Sequence, residues 1–142
     1  MRKLLLVVLA GWLLFAGFDW LTEQERWSPP QGGSAEIGSS PALVVPGVEV
    51  RDLDGRVAWR GDVDLGPVLA RIERGQRDPH RNDGGVFHNR ERRLPQRPSG
   101  YYREYVIRTP GIGHAGPQRL VVGRDGELFY TSDHYRSFRR VR

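Results

Sequence analysis

The sequence contains no cysteine, which removes disulfides, thiol nucleophiles and thiolate metal sites in one step. Stability must come from core packing and hydrogen bonds. Lysine is nearly absent as well: of 22 Lys and Arg residues only Lys3 is a lysine. The cationic surface is therefore built of guanidinium groups, whose planar fork suits bidentate contacts with phosphate. A GC-rich coding bias produces the same excess, so the arginine count alone identifies no ligand. Long apolar runs are scarce too. The one present, Leu4 to Phe18, falls short of the roughly 20 residues that a membrane span prefers, although Trp20 and Leu21 extend it past Asp19. Finally, 142 residues leave no room for two independent folding units.

What is present is distributed unevenly. The chain carries +5 at neutral pH, with a sequence pI near 10.2, and the positive charge lies in the second half, from residue 67 onward. A basic half favours polyanionic partners. At the start, Arg2 and Lys3 precede the apolar run, the pattern of an export signal, so residues 1–21 are expected to be a signal peptide or an uncleaved anchor on a secreted or periplasmic protein. Residues 22–47, with Pro29, Pro30, Pro41 and Pro46 among Gly and Ser, are expected to be a flexible leader. The globular domain is expected over 48–142.

Within that domain VEVRDL and RVAW flank Asp54-Gly55, a hairpin signal. Asp64 precedes a helical spacing of Leu65, Val68, Leu69 and Ile72 that Gly75 stops. Strand-like runs follow at Val86–Asn89, Tyr101–Arg108, Arg119–Val122, Glu127–Thr131 and Arg136–Val141. Helix first and antiparallel strands after is the α+β order: one N-terminal helix packed on a twisted antiparallel sheet of about five strands.

Alternation in YYREYVIR places Tyr102, Glu104 and Val106 on one face of a strand and Tyr101, Arg103, Tyr105 and Ile107 on the other. Glu104 is an unfavourable mid-strand residue unless something uses it. If Leu120 and Val122 point into the core, Arg119 turns outward and shares the open face with Glu104, either as working groups or as a plain cross-strand ion pair. His80, His88 and His114 show no metal-ligand spacing. Ser132-Asp133-His134 is no triad, because sequence neighbours cannot adopt that geometry.

Three segments in order, GGVFHNRERRLP, GYYREYVIRTPG and YTSDHYRSF, resemble the small secreted microbial ribonucleases of the barnase family, especially the guanyl-specific branch. The resemblance is dense from Gly84 to Phe138, weaker back to Asp64, and does not reach the VEVRDLDGRVAW segment. It implies the microbial ribonuclease fold, with Glu104 as general base, His134 as general acid and Arg119 as the cation at the phosphoryl oxygens. It also implies a guanine site built from Phe87, His88, Asn89, Arg90 and Glu91, with Tyr135 adding aromatic surface. The Glu91 carboxylate would accept from guanine N1–H and N2–H, a donor pair adenine lacks. The sequence departs from the family at Ala115, where a second phosphate-binding arginine is typical. His114 is the expected substitute, Arg103 is another option and a slow enzyme with no substitute is a third, and His114 therefore counts among the catalytic candidates.

The expected function is secreted cleavage of single-stranded RNA after guanosine through a 2′,3′-cyclic phosphate, by a monomer that needs no metal or other cofactor. A deoxyribonuclease is disfavoured because this chemistry needs the 2′-OH. A catalytically weakened RNA-binding module on the same fold is the alternative. A small acidic protein inhibitor is a candidate partner that the sequence leaves open.

Overall fold

The structure, a computed structural model, describes residues 43–142. The expected export segment, and the expected leader as far as residue 42, lie outside the described residues. The domain opens with a hairpin of β1 (Val44–Arg51) and β2 (Val57–Asp64), paired antiparallel. Its turn closes where Asp54-Gly55 places it: Gly55 has φ +80° and donates its N–H to the Asp52 carbonyl at 2.9 Å. β1 begins earlier than the composition suggests. Pro46 and Gly47 read as leader, yet Val45 and Val48 on either side are buried, and the chain crosses between them by an irregularity in register at which Gly47 has φ +63°.

Helix α1 (Gly66–Glu73) follows directly. Asp64 stands just ahead of it, and its Oδ1 accepts the Gly66 N–H at 2.8 Å, satisfying one of the donors a helix start leaves open. Gly75, at φ +64°, ends the helix. The remaining strands are β3 (Gly85–Val86), β4 (Tyr102–Val106), β5 (Arg119–Gly123), β6 (Leu128–Thr131) and β7 (Arg139–Arg140). They form one five-stranded sheet in sequence order, each antiparallel to the next. The class is α+β, one helix against antiparallel strands.

The sheet has two unlike faces. Tyr105, Ile107, Leu120, Val122, Leu128 and Tyr130 pack against Leu65, Val68 and Ile72 beside the helix and against Val45, Val48, Val50 and Val63 of the hairpin. At roughly 1.5–3 kcal/mol for a fully buried aliphatic side chain, four hairpin valines make this segment part of the core. The helix is also pinned to β4: Arg71 Nη2 donates to Asp83 Oδ1 (3.0 Å) and to the Val106 carbonyl (2.9 Å), while Asp83 accepts the N–H groups of Val106 (2.7 Å) and Asp78 (2.9 Å). On the opposite face Leu94, Tyr101, Tyr102, Val121 and Phe129 form a smaller cluster, with Phe87 and Phe138 at its edge. Alternation alone puts Tyr101 on the inner face. It precedes the first β4 residue, however, and its ring stands edge-on to that of Tyr102 at 4.9 Å.

Candidate active site

Register decides which groups meet. Glu104 pairs with Val121, and Val106 with Arg119, so carboxylate and guanidinium occupy the same outer face of adjacent strands, one step apart along the diagonal. Both are buried, at 8% and 3% exposure. The ion pair left open by the sequence is not formed among the described residues. The Glu104 carboxylate instead accepts a hydrogen bond from the Tyr135 hydroxyl. Arg119 Nη1 donates to the carbonyls of Gly116 (2.8 Å) and Gln118 (2.7 Å), which fixes the guanidinium over the Tyr135 ring, 5.9 Å from its centroid. Arg119 Nε is buried without a hydrogen-bond partner.

His134 and Tyr135 both take positive φ, +57° and +69°, a conformation costing of order 1–3 kcal/mol per residue outside glycine. The surroundings over-determine it. The His134 N–H donates to the Pro117 carbonyl at 3.2 Å, and the Tyr135 N–H to Thr131 Oγ1 at 3.1 Å. Asp133 accepts from Thr131 Oγ1 (2.8 Å), from the Ser137 N–H (2.9 Å) and from the Ser137 hydroxyl (2.6 Å). As a result the His134 ring lies against that of Tyr135, with centroids 5.0 Å apart. Partial burial, and then the Arg119 charge, hold His134 below the usual histidine range against an opposing pull from Glu104. Burial, then the bond to Glu104, pushes the Tyr135 hydroxyl far above the usual phenol range.

The segment after β3 builds the other wall. Asn89 and Arg92 turn the chain at φ +47° and +54°. Asn89 is suited to this conformation, and its side chain locks the loop by donating to the Leu94 carbonyl (2.7 Å) and accepting the Leu94 N–H (3.0 Å). Glu91 remains largely exposed and receives Arg93 Nε at 2.9 Å. Phe87 stacks on Tyr135 (5.4 Å) and meets Phe138 edge-on (5.7 Å). The two stacked rings leave no room for a base between them and make one continuous aromatic wall.

These parts enclose a cavity of about 380 Å³. Of the residues singled out from the sequence, Phe87, His88, Asn89, Arg90, Glu91, Glu104 and Tyr135 line it. Arg119 and His134 stand beside it, both against Tyr135. His114 is placed differently. Its Nε2 lies 3.0 Å from Asp52 Oδ1 in the hairpin turn, and its Nδ1 accepts the Gly116 N–H at 3.1 Å. Both ring nitrogens are thus engaged away from the cavity, which His114 does not line, so the ring does not stand where the missing guanidinium would. Arg103 is no substitute either, since it lies on the opposite face from Glu104 and donates to the Gly84 carbonyl at 2.9 Å. Reading the sequence missed Arg93 and Phe138, which also line the cavity, although Phe138 closes the YTSDHYRSF segment and Arg93 stands two residues after Glu91. It also missed Thr131 and Pro117, whose positioning roles depend on backbone geometry.

A family model described as ribonuclease matches residues 67–142, more than half of the chain. Guanyl-specific ribonuclease St of Saccharopolyspora erythraea is 53% identical over 68 residues, covering 48% of this chain and 67% of the relative. Guanyl-specific ribonuclease Sa3 of Kitasatospora aureofaciens is 48% identical over 75 residues, covering 52% of this chain and 53% of the relative. Ribonuclease Sa from the same organism is 46% identical over 61 residues, covering 42% and 64%. The chain thus spans between about half and two thirds of these relatives' own lengths. Among solved structures, ribonuclease Sa2 in complexes with mononucleotides matches with a TM-score of 0.49 and 42% identity, over 52% of this chain and 77% of that one. The whole β1–β2 hairpin, which ends at Asp64, lies ahead of the segment that the family model matches, whereas every residue lining the cavity lies within it. The chain belongs to the ribonuclease family, and the relatives St, Sa3 and Sa that it resembles carry the name guanyl-specific.

Proposed function

We propose that this ribonuclease cleaves single-stranded RNA after guanosine, with Glu104 and His134 as base and acid. The observation that carries the reading is a single cavity with the Phe87–Glu91 loop at one side, Glu104 and Tyr135 at the other, and Arg119 and His134 held against Tyr135. Glu104 takes the proton from the ribose 2′-OH, O2′ attacks the adjacent phosphorus, and the bond from phosphorus to O5′ breaks as His134 protonates O5′. The product is a 2′,3′-cyclic phosphate, which water opens to a 3′-phosphate with the two roles reversed. The attacking oxygen belongs to the substrate itself, so alignment and charge stabilisation suffice. Arg119 supplies the charge.

For guanine, the base rests on the aromatic wall of Phe87 and Tyr135, and the Glu91 carboxylate accepts from N1–H and N2–H. The guanyl-specific relatives support this preference. The chain acts as an exported enzyme without cofactor, on the strength of the Arg2-Lys3 charge ahead of its apolar run and of acid–base groups that complete the reaction unaided. Glu104→Gln and His134→Ala test the assignment: each lowers kcat/KM on a guanylyl dinucleotide by roughly 10²- to 10⁴-fold. Full activity in either variant removes that residue from the chemistry. RNA that is retained but never cut by the native protein returns the reading to a binding module.

A further inference from the structure

We infer that Asp52 and His114 are positioning residues for Arg119, a strut from the N-terminal hairpin to the guanidinium; the inference rests on the phosphate role proposed for Arg119. Four groups are joined in series. Asp52 Oδ1, itself oriented by the Leu53 N–H at 2.7 Å, lies 3.0 Å from His114 Nε2. His114 Nδ1 accepts the Gly116 N–H at 3.1 Å, and the Gly116 carbonyl accepts Arg119 Nη1 at 2.8 Å. The strut carries weight because the two carbonyls that hold Nη1 are anchored differently. Gln118 is 1% exposed, and its side chain bonds both Thr109 Oγ1 (2.8 Å) and the Tyr130 hydroxyl, so its carbonyl is fixed by the core. Gly116 has φ +64° and no side chain to anchor it, and the ring of His114 is what its N–H holds.

The family's second arginine is replaced by Ala115, between His114 and Gly116. This loop therefore supplies no guanidinium of its own, and the one on β5 must be placed well. A hairpin outside the segment that the ribonuclease family model covers serves that placement. His114 works here as a link between the hairpin turn and this loop, one ring nitrogen on Asp52 and the other on the Gly116 N–H.

The test measures kcat and KM of the full chain on a guanylyl dinucleotide, with a thermal melt for each variant. Asp52→Ala lowers kcat about tenfold, because small misplacements of a group at the reacting centre are costly. KM stays within twofold, and Tm falls by no more than a few degrees, since the Asp52–His114 pair is half exposed. Asp52→Asn keeps the accepting Oδ1 and restores kcat to within twofold of the native value. In an Arg119→Ala background, Asp52→Ala changes kcat no further. An undiminished kcat in Asp52→Ala, beside the expected loss in Arg119→Ala, overturns the strut and leaves the phosphate role standing. An equal further loss in the Arg119→Ala background overturns it too, by showing that Asp52 acts elsewhere. Undiminished kcat in Arg119→Ala removes the phosphate role and this inference with it.

Discussion

His134 concentrates the electrostatics of the site in one ring. Partial burial and Arg119 disfavour its protonated form, and Glu104 favours it. An acid that must carry a proton is thus lost as pH rises through a value below the usual histidine range, so the alkaline limb of kcat/KM falls early in the free enzyme. The signs give a prediction. Arg119→Gln removes a repelling charge and raises the His134 pKa, whereas Glu104→Gln removes an attracting one and lowers it further. An NMR titration of the His134 ring checks both, and a ring indifferent to both changes contradicts the arrangement. At this scale Glu104 was legible because a carboxylate in mid-strand asks for a use, and Arg119 because alternation from Leu120 and Val122 turned it outward. The environment of His114 was not legible. Its partner Asp52 is 62 residues away, and no local pattern reports such a contact.

Among the elements, α1 is held to β4 by more than apolar contact. Asp83 lies at 2% exposure and accepts from Arg71, Val106 and Asp78 together. Asp83→Ala strands a partly buried guanidinium and two backbone donors, and the expected loss is about 3–5 kcal/mol of unfolding free energy. Urea denaturation measures it, and a loss below about 1 kcal/mol contradicts the pinning role. The helix and hairpin were legible because Asp54-Gly55 and the spacing from Leu65 to Ile72 are local signals. The outermost strands were read too long, at Val86–Asn89 and Arg136–Val141, where two residues each pair. Apolar content continues past both strands, but positive φ at Asn89 turns the chain away after β3, and the turn at His134 and Tyr135 delays entry into β7.

The whole molecule combines a charge imbalance with a division of labour between the two faces of its sheet. The inner face carries the core. The outer face carries the candidate chemistry, and the positive charge is concentrated from residue 67 onward, as suits an RNA ligand. The proposed export belongs to this scale as well: N-terminal sequencing of the extracellular or periplasmic protein is expected to find residues 1–21 removed or serving as a membrane anchor, and an intact Met1 on a soluble cytoplasmic protein contradicts both. Fold class and the order of the segments were legible because three motifs lie in register along one sheet. The hairpin's place in the core was not, since Pro46 and Gly47 masked the buried valines beside them. The most direct measurement is product analysis of paired GpA and ApA dinucleotides incubated with the native chain in chelator. Rapid cleavage of GpA with transient guanosine 2′,3′-cyclic phosphate, and far slower cleavage of ApA, is the expected result. Equal rates on the two substrates, or a 5′-phosphate product, would contradict it.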